Sequence, residues 1–304
     1  MRLRRSVLAT PATNDWMFAK AAGCGADMVF LDLEDSVPEA MKDVARERAV
    51  AALLGYEWGR TTRAIRVNAL NTRWAYDDIV GIVSQVGEAA DSLVLPKVST
   101  PREVWFVDVL LGQLEAKLGL DKQIRLEVTI EGVKGLANVE KISRCSSRID
   151  SLIFGSGDYA VSQRSRVDTN LEPADPYPGD LWHYARSKIL VAARISGLDA
   201  IDAVYPKYRD DVGFERTARQ AAVLGYDGKL VIHPSQVPLA NKVFASMDDE
   251  LARARKNLEA RALGEQNGHG AVGVNGSMVD AVHARLARDV ILRTQLVREA
   301  DGQT

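Results

Sequence analysis

Short apolar, β-branched runs recur along the chain, and each is followed by a stretch in which apolar residues return at helical spacing. The runs are Arg5–Thr10, Met28–Leu33, Arg63–Asn68, Ser92–Lys97, Arg125–Glu131, Ser151–Gly155, Asp199–Val204 and Lys229–His233. The helical stretches cover Trp16–Gly23, Ala40–Leu54, Tyr76–Val86, the segment from Pro101, Gly135–Ser143, Trp182–Ile195, Phe214–Leu224 and Val237–Phe244, with a polar loop after the sixth run. Near-continuous apolar strands separated by helices predict a parallel sheet covered on both faces. Eight such units predict an α/β fold closed into a (β/α)8 TIM barrel, with an open doubly wound sheet as the other arrangement the pattern allows.

The barrel is expected over residues 1–247. Residues 248–304 read as a C-terminal helical extension: a charged helix (Glu250–Leu263), a glycine-rich stretch, then a helix over Val279–Arg298. Gly264, Gly268, Gly270, Gly273 and Gly276 fall too close together to hold a helix, each costing about 1 kcal/mol relative to alanine there. The stretch is expected to be a Gly-rich flap carrying Ser277-Met278-Val279-Asp280, with a plain tether as the alternative.

Charge and composition narrow the function classes. The 304 residues hold 39 Lys+Arg against 41 Asp+Glu, so no positive field exists on which nucleic-acid or membrane-surface binding could rest. Aromatics are only 6%, too few for a base-stacking platform. No apolar run approaches the ~18 residues of a membrane span. Cys24 and Cys145 cannot build a disulfide framework and are expected as small buried hydrophobes. The basic start has too short an apolar stretch for a signal peptide, so the expected compartment is the cytoplasm.

In such a barrel the chemistry sits at the C-terminal ends of the strands. In chain order those ends hold Asp32, Glu34 and Asp35; Arg66 and Asn68; Pro96 and Lys97; Glu131; Asp158; Asp202; and His233. So many carboxylates at one small mouth repel one another unless they are protonated or a cation neutralises them. Glu131 and Asp158 end adjacent strands, and two carboxylates with water and substrate completing the shell suit Mg²⁺. A single strand-end histidine argues against zinc or non-haem iron. The plainer readings are a capping or salt-bridging Glu131 and an N-capping Asp158. Gly155–Ala160 superficially matches a dinucleotide fingerprint, but it follows the sixth strand and contains an aspartate, so no dinucleotide site is read there. Arg66, an inward guanidinium, needs an anionic partner, either a ligand or the carboxylate cluster.

Seven short motifs, in order, carry a resemblance over nearly the whole length. They are Phe30–Val37 (FLDLEDSV), Ile65–Asn68 (IRVN), Leu95–Val98 (LPKV), Glu127–Glu131 (EVTIE), Phe154–Tyr159 (FGSGDY), Lys229–Gln236 (KLVIHPSQ) and Gly276–Asp280 (GSMVD). Together they resemble the citrate lyase β-subunit-like (CitE-like) family of the HpcH/HpaI aldolase superfamily, in particular malyl-CoA and citramalyl-CoA lyases. The resemblance implies Mg²⁺, or Mn²⁺, on Glu131 and Asp158. It implies Arg66 on the acyl oxygens, Asp32, Glu34 and Asp35 ordering metal waters, and Pro96 and Lys97 at the substrate. Coenzyme A would run near Lys20 and the loops after strands one and eight. Asp280 would be an acid–base residue delivered to a neighbouring subunit of a trimer or hexamer, with His283 a surface helix residue. The chain departs from the pattern at Pro11-Ala12-Thr13, where relatives carry Pro-Gly and a basic residue. It has no histidine before His183, unlike aldolases with an early histidine base, which points to the CoA-ester branch.

The reaction this implies is reversible cleavage of a 3-hydroxy-3-carboxyacyl-CoA into acetyl- or propionyl-CoA and glyoxylate or pyruvate. Other readings stay open at this point: a thioesterase of the same fold, a citryl-carrier-protein lyase subunit, or a metal-free barrel that only binds. At Asp280 the plain alternative is an N-cap of the last helix.

Overall fold

The computed structural model describes residues 2–245 and 248–302. They form two compact units, dividing at Lys242/Val243. The boundary expected between 247 and 248 adjoins residues 246–247, which lie outside the described residues.

In the first unit eight strands, β1 (Ser6–Pro11), β2 (Met28–Asp32), β3 (Thr62–Arg66), β4 (Ser92–Leu95), β5 (Arg125–Ile130), β6 (Ile149–Phe154), β7 (Asp199–Asp202) and β8 (Gly228–Val231), pair in sequence order into a closed parallel barrel. Helices α1 (Asp15–Gly23), α2 (Lys42–Gly55), α3 (Ala75–Val86), α4 (Pro101–Leu118), α5 (Val133–Ile142), α6 (Ser156–Gln163), α7 (His183–Ile195), α8 (Asp211–Leu224) and α9 (Gln236–Phe244) fill the connections. The expected (β/α)8 barrel is the fold observed. Helix α4 starts where the sequence announces it: Thr100 and Glu103 form a reciprocal capping box, with Pro101 in the first turn. The polar loop expected after the sixth strand instead begins with α6, anchored by buried Tyr159 and Ala160.

Register explains which side chains meet. Asp32 is the cross-strand partner of Arg66, and Ile130 pairs with Phe154, so Glu131 and Gly155 are the next residues on adjacent strands. Inside the barrel, Val7, Met28, Phe30, Ala64, Val94, Ile153, Ile201 and Leu230 form one apolar cluster. At the opposite end of the barrel from the strand C-termini, buried Arg4 reaches Glu127 at 3.0 Å, Asp150 at 2.9 Å and Asp199 at 2.7 Å, tying the chain before β1 to β5, β6 and β7. At the β1–β8 seam a Cβ on Gly228 would fall 1.7 Å from the Arg4 carbonyl oxygen, so only glycine lets the two strands meet there.

The second unit holds α10 (Asp248–Gln266), the antiparallel pair β9 (Val272–Val274) and β10 (Ser277–Val279), and α11 (Ala281–Ala300). The stretch expected to be a flexible flap or tether is therefore a hairpin. Its two-residue turn, Asn275-Gly276, holds both residues at positive φ (50° and 80°), the combination that matches the twist of flanking strands. Among the described residues no helix is long and apolar enough to cross a membrane.

Candidate active site

A chamber of about 170 Å³ opens among the C-terminal ends of the strands, lined by Phe30, Arg66, Val94, Thr129, Glu131, Ile153, Gly155–Asp158, Val204 and Leu230. Strand alternation aims these residues inward, and the chamber lies wholly within the first unit.

Arg66 projects from the end of β3, and its Nε and Nη2 donate to the two Asp32 oxygens at 2.7 Å each. Its Cζ lies 5.4 Å from the Phe30 ring centroid. Burial alone would push Asp32 up, but the Arg66 guanidinium, the Ser36 hydroxyl and the Glu34 N–H outweigh it and hold this carboxyl below its ordinary range. Lys42, which the sequence reading missed, fixes the β2–α2 loop by donating to the Leu33 and Glu34 carbonyls at 2.7 Å each.

Lys97 follows β4 with a left-handed backbone, φ 55°, uncommon for a lysine and a form of strain concentrated at functional sites. Its N–H donates to Glu131 Oε1 at 2.6 Å, while Nζ reaches Glu34 at 2.5 Å and Asp35 at 2.9 Å and stands 4.0 Å from Asp158. Burial pushes Glu34 up in spite of Lys97, whereas for the half-exposed Asp35 the lysine outweighs burial and holds it down.

Glu131 and Asp158 are the residues left under-compensated. Burial first, and the Asp158 charge second, push Glu131 up to about 8; burial also raises Asp158, with Lys97 and Arg66 offsetting part of it. Both cations are already committed, Arg66 to Asp32 and Lys97 to Glu34 and Asp35. A pair of oxygen donors poised this way fits a hard divalent cation. Among the described residues no group of three or more His, Cys, Asp or Glu stands in ligand geometry, so an ion here would take two protein carboxylates and draw its other oxygens from water and substrate. Gly155 makes room for this: a Cβ there would lie 2.5 Å from both Cβ and Oε2 of Glu131 and 3.2 Å from the Thr129 methyl. Asp158 sits in the first turn of α6, whose N-cap is Gly155, so it is not the N-cap of the plainer reading.

Of the remaining expected residues, Pro96 and Lys97 line an adjoining pocket of about 100 Å³ with Ala69–Asn71 and Val98–Ser99. Lys20, in the last turn of α1, lies over the Trp16 ring at 4.4 Å and does not line the chamber. Asp202, counted among the converging carboxylates, points the other way. It is fully buried, bonded to Lys229 Nζ at 2.5 Å and Arg186 Nε at 2.7 Å. Asn68 likewise serves Asp78 rather than the chamber. His233 packs on Tyr208, centroids 5.1 Å apart. In the second unit Asp280 is the N-cap of α11, accepting from the N–H groups of Val282 and His283. His283, the expected surface helix residue, closes the capping box by accepting from the Asp280 N–H through Nδ1 at 3.3 Å; its ring, with Nδ1 2.8 Å from Asp280 Oδ1, and those N–H groups hold the Asp280 carboxyl low.

A family model described as HpcH/HpaI aldolase/citrate lyase matches residues 5–234. The chain belongs to that family. An L-malyl-CoA/β-methylmalyl-CoA lyase of Cereibacter sphaeroides is 33% identical, the match covering 97% of this chain and 96% of that protein. The citrate lyase subunit beta of Leuconostoc mesenteroides subsp. cremoris is also 33% identical, over 97% and 92% of the two chains. Among solved structures, protein CitE from Mycobacterium tuberculosis, in complex with magnesium, acetoacetate and coenzyme A, superposes with a TM-score of 0.78 at 28% identity, covering 95% of this chain and 97% of that one.

Proposed function

We propose that this family member is a magnesium-dependent carbon–carbon lyase that cleaves, or forms, a 3-hydroxy-3-carboxyacyl-CoA such as malyl-CoA or citramalyl-CoA. The observation that carries the reading is the under-compensated pair Glu131 and Asp158 beside a buried, clamped Arg66 at one small chamber. The named lyase relatives and the magnesium- and CoA-bound neighbour support it.

Mg²⁺, or Mn²⁺, held by Glu131 and Asp158 would supply Lewis acidity at the substrate hydroxyl. Arg66, fixed in orientation by Asp32, stabilises the alkoxide that forms when that hydroxyl loses its proton and whose charge passes to the thioester enolate as the C–C bond breaks. Lys97 keeps Glu131 oriented through its N–H while its ammonium holds Glu34 and Asp35 in place at the rim. Pro96 and the Lys97 loop border the path of the thioester, and the exposed Lys20 ammonium is proposed for the CoA phosphates. Asp280 is proposed to move the proton at the enolate carbon, contributed by one copy to the barrel of another in a homotrimer or paired trimers. The exposed Val282, Leu286 and Leu292 on α11 support association between copies. Free Cys24 and Cys145, both half-buried, agree with a cytoplasmic location.

The test is a product assay with malyl-CoA and citramalyl-CoA, with and without Mg²⁺, trapping keto acids as hydrazones. Metal-dependent keto acid together with acetyl-CoA is the expected result. Free CoA with intact malate or citramalate makes the protein a thioesterase instead. No product from either ester points to a carrier-bound substrate.

A further inference from the structure

The chamber's charges lie on one side. Arg66, Glu131 and Asp158 form its rim, while Phe30, Val94, Ile153, Val204 and Leu230, with Thr129 among them, form a largely apolar floor. The floor follows from strand parity. Phe30 lies two residues before Asp32 on β2, and Ile153 two before Gly155 on β6, so each points the same way as a rim residue but one layer deeper. At about 170 Å³ the chamber is small. That is room for a small acid and the reacting acyl carbons, but not for pantetheine.

We propose that the acid half of the substrate is a 2-oxo acid with a short apolar substituent, pyruvate or 2-oxobutyrate, in preference to glyoxylate or oxaloacetate. The inference rests on the lyase reading above and adds to it the class of acid. A 2-oxo acid must present its carboxylate and carbonyl oxygens to the rim, where the charges are. Its remaining substituent then meets the floor. Glyoxylate offers only hydrogen there and leaves apolar side chains against water. Each carbon added should raise affinity about four-fold, the worth of one buried methylene. Oxaloacetate would set a second carboxylate among apolar side chains, where the nearest cation, the Arg66 guanidinium over the Phe30 ring, is shared with Asp32. Among the described residues lining the chamber Arg66 is the one positive group, and both its bonds to Asp32 are made.

The test uses the full-length protein saturated with Mg²⁺. Titration calorimetry with glyoxylate, pyruvate, 2-oxobutyrate and oxaloacetate reads affinity without turnover; condensation of each with acetyl-CoA reads kcat/KM. Pyruvate and 2-oxobutyrate should bind at least four-fold tighter than glyoxylate, with oxaloacetate weakest, and condensation should be seen with both ketones. Val204→Phe should fill the floor and erase that preference. Should this variant fail to fold, Val94→Thr, similar in volume but bearing a hydroxyl, should weaken pyruvate more than glyoxylate. Glyoxylate or oxaloacetate equal to or above pyruvate overturns the assignment of the floor. The expected binding order without condensation upholds the floor and overturns the lyase reading, so the two fail separately.

Discussion

Arg66 grips Asp32 through two parallel hydrogen bonds, Nε to Oδ1 and Nη2 to Oδ2, both 2.7 Å. A lysine can match the charge but not the fork. Arg66→Lys should lower kcat about 10²–10³-fold, the usual worth of one preorganised donor to a developing oxyanion. Mg²⁺ affinity should stay close to wild type. Single-turnover kinetics beside calorimetry separate the two, and a parallel loss of metal affinity would place Arg66 in metal retention instead.

The metal-free barrel should carry a pH signature. Glu131 ordinarily titrates near 4.5 and in the folded chain near 8. Between those values the folded state binds more protons than the unfolded state, so stability falls as pH rises and the loss is complete above about 8. Glu131→Gln keeps an acceptor for the Lys97 N–H but cannot ionise. Without metal, the variant should therefore gain on wild type from pH 5 to 9 in urea unfolding. Added Mg²⁺ should stabilise wild type and leave the variant unmoved. A wild-type-to-variant gap that is flat with pH would show that Glu131 does not titrate in this way.

Gly155→Ala tests the room left for Glu131. The new Cβ meets the Glu131 Cβ and Oε2 at 2.5 Å, so the carboxylate must shift. Metal affinity should drop about 10–100-fold, as for loss of other supports of metal ligands. The melting temperature without metal should fall as well, because the Glu131 Cβ is fixed to β5 and cannot swing aside as the carboxylate can. Wild-type Mn²⁺ binding by electron paramagnetic resonance would remove Gly155 from this role.

Asp280→Asn separates capping from chemistry. Asparagine caps helices as well as aspartate does, so thermal stability should hold. Turnover should be nearly abolished with CoA-ester binding retained. Unchanged turnover would leave Asp280 as a cap alone.

The barrel and much of its mouth are legible in the sequence because strand C-termini share one end of the fold, whatever the loops do. That rule finds Asp32, Arg66, Glu131 and Asp158. It fails at Asp202, which ends β7 one residue past inward-facing Ile201 and so faces the helices, where Lys229 and Arg186 neutralise it. A strand's end position can be read from its pattern; its parity is settled by pairing with neighbours. The Arg4 cluster was illegible for a related reason, since its partners lie on three strands far along the chain. The hairpin at Asn275-Gly276 was present in the sequence as a turn signal, obscured by the glycine count around it. Nothing in the sequence marks Lys97 as left-handed, because a lysine there contradicts local preference and is held by Glu131, Glu34 and Asp35.

The seam at Gly228 bears on how the molecule is made. Ser6 pairs with Lys229 and Leu8 with Val231, so the first strand of the barrel finds its second neighbour only when the eighth has been synthesised. Throughout translation β1 presents one open edge, the kind of surface on which nascent chains pair with one another. Arg4, beside that edge, stays charged and solvated until β5, β6 and β7 bring Glu127, Asp150 and Asp199 to it. Until then a charged side chain stands beside the unfinished edge, one of the features that keep sheet edges from pairing with other chains.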